Sequence, residues 1–246
     1  MLSGTAAVED FASGQVPTWD VEPVVLEDFE IVQALFELRS AARQAVLPPA
    51  LHPTNPPTLV VQVWRCGVSR WGPFELAQVR VQCRSGLRPR GFVTASVIDN
   101  DAAAAGLGAG WGFTARVGAV RLRRFYDETT VEVDVDGQSV LRLAGVDPNP
   151  LGPHDAGYSS TLNLAQTPNG LRLVQLDLDV SPDRVERLRP SLTTFDAEAW
   201  GNRVLDPYYP VSASVAVGRA TLPRVRYCCR PDVLAFVGTE TVPSAP

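Results

Sequence analysis

The 246-residue chain contains no lysine: all 22 of its Lys+Arg side chains are arginine. A Schiff base to a carbonyl substrate, or to pyridoxal phosphate, needs a primary amine. Arginine cannot supply one, because its guanidinium stays protonated and is a poor nucleophile. Only the α-amino group of Met1 is left, so imine chemistry on a side chain is excluded. Histidine is nearly as scarce: His52 and His154 lie in separate proline-containing stretches. A Ser–His–Asp arrangement has no support from them, and no metal site is expected. The four cysteines, Cys66, Cys83, Cys228 and Cys229, form no CxxC pair. They read as reduced thiols packed in a cytoplasmic protein. No apolar run is long enough to span a membrane, and no basic stretch followed by an apolar one marks a signal peptide. A net charge of −5 without a basic cluster argues against nucleic acid as the partner. The arginine-for-lysine bias fits a GC-rich genome.

The length suits one large β domain with a sizeable core. Residues 1–27 are acidic and turn-rich (Glu9, Asp10, Asp20, Glu22, with Gly4, Gly14, Pro17 and Pro23), and the first basic residue is Arg39. This segment reads as an arm, tail-like or folded as a lid over a cavity. The domain proper spans 28–235, and 236–246 is a tail. Residues 34–46 carry Leu35, Leu38, Ala42 and Val46 at helical spacing, which predicts a helix stopped by Pro48 and Pro49.

From residue 58 onward the chain reads as strands: 59–66, 74–83, 92–98, 120–126 and 130–136, rich in β-branched residues and partly alternating. Asp136-Gly137 and Asn169-Gly170 are hairpin signals, with return strands at 139–145 and 171–180. Segments 160–166, 211–222 and 224–229 complete the set. The break is 99–112, where Asp99 can cap a short Ala-rich helix and Gly106, Gly108, Gly110 and Gly112 make a flexible return. This stretch lacks the Gly-Lys-Ser/Thr of a phosphate loop, so no nucleotide cofactor is expected. The expectation is a mainly β protein, an antiparallel barrel or cone with a few short helices. Closure removes the edges of so long a meander and leaves room for a cavity.

The order of these segments resembles the acetoacetate decarboxylase superfamily. The stretch 97–118 carries Asp99-Asn100 and Trp111-Gly112-Phe113 where that family has Asp-Asn and Trp-Gly-Phe. Residues 46–53, 72–83 and 218–227 are similar to further family segments. The resemblance covers roughly 28–230 and implies a cone with an internal small-molecule pocket. The departures are as informative as the matches. The family's two adjacent lysines fall on Ala115 and Arg116, its proline falls on Thr114, and its Gly-Arg-Glu falls on Leu107-Gly108-Ala109. A family arginine falls within the Arg-free stretch before Arg39. One family glutamate matches Glu75, and another acidic position falls near Gln62.

Two residues are candidates for catalysis. Glu75, between Phe74 and Leu76, is either an outward residue of an alternating strand or a cavity carboxylate with a raised pKa. Arg116 either pairs with an acid or holds an oxyanion where the family keeps its nucleophile. Gln62 and Trp64 share a strand face with Val60 and, with Asn100, Trp111 and Phe113, are candidate substrate-binding residues. Three functions compete. The first is a lysine-independent enzyme of natural-product biosynthesis that folds a polyketide-like substrate toward cyclisation, including a Diels–Alder cycloaddition. The second is a Glu75/Arg116-dependent hydratase, hydrolase or decarboxylase of a small keto acid. The third is a non-catalytic ligand-binding pseudoenzyme. Leftover sheet edges leave room for a homodimer.

Overall fold

The computed structural model describes residues 2–39 and 42–243. Met1 with its α-amino group, residues 40–41 of the expected helix, and 244–246 of the expected tail lie outside the described residues. The strands are β1 (Gly14–Gln15), β2 (Val24–Leu38), β3 (His52–Pro53), β4 (Thr58–Val68), β5 (Phe74–Ser85), β6 (Arg88–Ile98), β7 (Ala115–Val117) and β8 (Ala119–Arg124). They continue as β9 (Glu128–Val135), β10 (Gln138–Leu151), β11 (Thr161–Thr167), β12 (Gly170–Leu176), β13 (Asp179–Phe195), β14 (Pro207–Leu222), β15 (Tyr227–Cys229) and β16 (Thr239–Thr241). The helices are α1 (Ala42–Ala45), α2 (Asp101–Trp111) and α3 (Ala235–Gly238).

All strands join one mixed sheet, with main order β16-β15-β12-β11-β6-β5-β4-β2-β14-β13-β10-β9-β8. Most pairs are antiparallel; β1–β11, β6–β11 and β6–β7 are parallel. The sheet coils until β8, last in that order, touches β4, β5 and β6. The mainly β cone expected from the sequence is therefore what forms. Alternation drives it: every second residue of β9 is buried. Asp136 and Gly137 both adopt positive φ, 52° and 77°, as the two-residue turn between twisted strands requires.

The sheet buries both faces. On one, Phe29, Ile31, Trp64, Leu76 and Ile98 pack with Ala103, Leu107 and Trp111 of α2. On the other, Val32, Val61, Val63, Ala77, Val79 and Val97 pack with Val120, Leu122, Val131 and Val133 of β8 and β9. These are called below the α2 face and the β8 face.

Five expectations need correction. The helix over 34–46 is not there: 24–38 is strand, and only Ala42–Ala45 is helical. The apolar spacing fits a helix, but Ala34, Phe36 and Leu38 also bury at period 2, between partners on both sides. The cap of α2 is Asn100, whose Oδ1 accepts from Ala103 N at 2.9 Å, not Asp99. Gly106, Gly108 and Gly110 lie inside α2; only Gly112, at φ 73°, turns the chain out of it. The expected strand 171–180 splits into the end of β12 and the start of β13. The sheet also begins at Gly14 and takes in Val24–Leu38, so two strands start within the stretch read as an arm.

Candidate functional site

A single polar row crosses the α2 face. Period-2 alternation and register place Ser214, Gln33, Gln62, Gln78, Ser96 and Ala115 side by side on β14, β2, β4, β5, β6 and β7. Gln33, Gln62, Gln78 and Ser96 are buried, as is Arg80, two residues beyond Gln78 on the same face. Between Val79 and Arg80 the pairing with β6 shifts register, as at a β-bulge, which re-aims side chains.

The hydrogen bonds run one way. Trp64 Nε1 donates to Gln62 Oε1 at 2.8 Å. Arg80 Nη2 donates to the same oxygen at 2.6 Å, and Arg80 Nε to Gln78 Oε1 at 3.1 Å. Nη2 also reaches Gln78 Oε1, and Nη1 donates to the Ser159 carbonyl at 3.0 Å. Indole and guanidinium only donate, so Gln62 and Gln78 must turn their oxygens toward them. Gln62 Nε2 then donates to Gln33 Oε1 at 3.1 Å, which also accepts from Ser159 N at 3.4 Å. Gln33 Nε2 donates to Gly157 O at 3.0 Å, and Gln78 Nε2 to Ser96 Oγ at 3.2 Å.

All three carboxamide oxygens thus accept two bonds each and are full. What remains is donor capacity: one N–H on each glutamine and one on Arg80 Nη1. The Ser159 hydroxyl oxygen beside them is also buried without a partner. Among the described residues Arg80 has no carboxylate partner, and burial pushes its guanidinium down to about 9. Such a site is suited to an acceptor-rich or anionic group.

Gln62 sits in this row and Trp64 lies two residues along the same face, with the Phe113 ring 5.8 Å from Trp64, edge to face. Trp111 is buried nearby in the same core, its Nε1 donating to Pro223 O at 2.7 Å. Asn100 caps α2 and donates to Pro73 O at 2.9 Å. Glu75 and Arg116 stand apart from the row. Glu75 belongs to the β8 face, in line with Arg65 and Glu30, and its Oε2 accepts from Leu122 N at 2.6 Å. Burial pushes its carboxyl up to about 7, against the opposing pull of the Leu122 N–H. Arg116 is exposed opposite Val97 and donates to Ala199 O. It lines a cleft of about 300 Å³ with Ser96, Ala115, Phe11 and Glu198. Ala115 therefore joins the end of the row to this cleft.

Sequence reasoning missed Arg80, Gln33, Gln78 and Ser96. The available signal was their phase, since each occupies an alternation position shared with apolar core residues.

Fold and site together define a coiled β-cone with a donor-rich polar row at its heart. The acetoacetate decarboxylase (ADC) family model matches residues 12–200, and the chain belongs to that family. Acetoacetate decarboxylase from Legionella pneumophila is similar in structure, with TM-score 0.73, 19% identity, and 83% and 86% of the two chains covered. The enduracididine biosynthesis enzyme MppR complexed with pyruvate superposes with TM-score 0.67 at 18% identity, covering 82% of this chain and 89% of its own. An acetoacetate decarboxylase-like enzyme from Sphingomonas wittichii gives TM-score 0.67 at 15% identity, covering 84% and 92%. No curated protein matches the chain by sequence.

Proposed function

We propose that this protein is a lysine-independent biosynthetic enzyme that holds a carbonyl oxygen of its substrate against the Arg80–glutamine row and promotes cyclisation. The observation that supports this reading is the one-sided hydrogen-bond capacity of the row. The described side chains along it are amides, hydroxyls, a guanidinium and aromatics, with no carboxylate, imidazole or amine. Hydration, hydrolysis and enolisation need a proton acceptor at the reacting atom. A Diels–Alder closure needs none: two carbon–carbon bonds form from a diene and an alkene, and no proton moves. Donors on a carbonyl conjugated to the alkene draw electron density from it, and the walls hold the folded conformer. Arg116, Phe11 and Glu198 line the cleft that reaches Ser96 and Ala115 at the end of the row, and a polyketide-like substrate would enter from there.

A second reading, loss of CO2 from a small β-oxo acid, is favoured by the charge of Arg80, which would hold the enolate oxygen left behind. Glu75, on the opposite face, takes part in neither.

The test is a linear probe carrying a conjugated diene and an enone. Loss of diene absorbance and chiral chromatography of the product are followed together. Enantiomerically enriched product is expected, with the rate reduced by about 100-fold or more in Arg80→Met while the far-ultraviolet circular dichroism is retained. Racemic product at the buffer rate would overturn the cyclase reading. CO2 release from acetoacetate would then support the second one, and inactivity in both assays leaves the ligand-binding pseudoenzyme.

A further inference from the structure

A separate cavity of about 380 Å³ lies at the hairpin joining β5 to β6, under α3. Leu87, Tyr227 and Phe236 form its apolar side, and Arg88, Arg90 and Gln175 its polar end. Leu87 is 80% and Phe236 61% exposed, unusual for large apolar side chains gathered at one groove. The Phe236 ring lies over the hairpin turn, where a Cβ on Gly86 would be 3.7 Å away.

The polar end is built differently from a surface arginine cluster. Arg90 is only 4% exposed. Its Nη1 pairs with Asp177, and its Nη2 donates to Gln175 Oε1 at 3.3 Å. Its Nε is buried and has no partner. A buried donor left unpaired is costly, and an acceptor brought by a ligand removes that cost. Arg88 is exposed beside it and has no acid partner among the described residues. Two cations against one carboxylate leave the end of the groove positive, next to an apolar wall.

We infer that this groove binds an amphipathic carboxylate: an acid whose head accepts from Arg90 Nε and faces Arg88, with its alkyl chain across Leu87, Tyr227 and Phe236. Tail burial supplies most of the affinity, and the arginines fix the orientation. The site shares no residue with the polar row, so it stands whether or not the cyclase reading holds.

Isothermal titration calorimetry with decanoate, and with decanol as the headless control, tests the inference on the full chain. Decanoate is expected to bind one equivalent, and decanol to bind about tenfold more weakly or worse. Arg88→Glu and Phe236→Ser, both at exposed positions, should each weaken decanoate about tenfold or more without altering the circular dichroism. Gln62→Glu, in the polar row, should leave decanoate affinity unchanged. No binding, equal binding of decanol, or loss of binding in Gln62→Glu but not in Phe236→Ser would each overturn the assignment.

Discussion

Among the described residues Arg80 is a buried cation without an anion, and carboxamide oxygens make that tolerable. Each Gln62 and Gln78 oxygen takes two donors, so the charge is solvated without being cancelled and stays available to a ligand. Two substitutions at one position separate these roles. Gln62→Leu strands the Trp64 indole N–H and an Arg80 N–H, and should cost about 2–4 kcal/mol in urea denaturation. Gln62→Glu keeps an acceptor for both but neutralises Arg80 internally, so it should fold and lose turnover of the diene–enone probe. A Gln62→Glu variant as active as the parent would show that the charge is not used. The lysine-free sequence makes a third test direct. Borohydride added with pyruvate should leave no adduct on any side chain, as read by peptide mass spectrometry. At this scale the sequence was half legible. The absence of lysine was plain in the composition, and alternation put Gln62 and Trp64 on one strand face. Arg80 was not legible, because an arginine in an alternating strand reads as solvent-facing until the neutral oxygens around it, on other strands, are known.

Among the elements, α2 carries the clearest conflict between propensity and packing. Glycine disfavours a helix, yet Gly106, Gly108 and Gly110 all lie within it. At Gly106 a Cβ would sit 2.2 Å from Trp71 Nε1. That ring is already held edge-on to Phe74 and Trp111. At Gly108 the nearest atom would be Phe113 O at 3.4 Å. Gly106→Ala should therefore destabilise by about 1–3 kcal/mol, whereas Gly108→Ala should gain up to about 1 kcal/mol. Thermal melts of the two variants should move in opposite directions. The same competition explains which elements the sequence revealed. Strands with clean alternation and the Asp136-Gly137 turn were legible because local pattern and final pairing agree. The helix expected at 34–46 failed because Leu35, Leu38 and Ala42 satisfy a helical period while Ala34, Phe36 and Leu38 satisfy a strand. Only the long-range partners β4 and β14 decide between them. The glycines of α2 read as a flexible return because the Trp71 ring that requires Gly106 comes from thirty-five residues upstream.

At the scale of the whole molecule, the cone must close where β8, the last strand in order, meets β5. Leu122 N in β8 is taken by the Glu75 carboxylate. A charged group thus does at this seam what a strand partner does elsewhere. Its environment opposes that charge: burial is the main cause, with Asp99 and Glu30 adding to it, and the carboxyl titrates near 7 instead of 4.5. The unfolded chain loses this proton near 4.5 while the folded one keeps it until about 7. Between those limits the native state binds more protons, so the Glu75 contribution to stability falls as pH rises through the window and is level above it. Partial exposure of the side chain limits the effect to at most about 2 kcal/mol. Glu75→Gln keeps an oxygen for the Leu122 N–H and cannot ionise. Urea denaturation across this pH range should therefore show a flatter profile for the variant, and at pH 8 it should be at least as stable as the parent. Asp99 is also raised by burial and helps raise Glu75, so the difference between the curves reads Glu75 together with its interaction with Asp99. Parallel curves would mean that the carboxylate is solvated at the seam and that closure of the cone does not depend on its protonation.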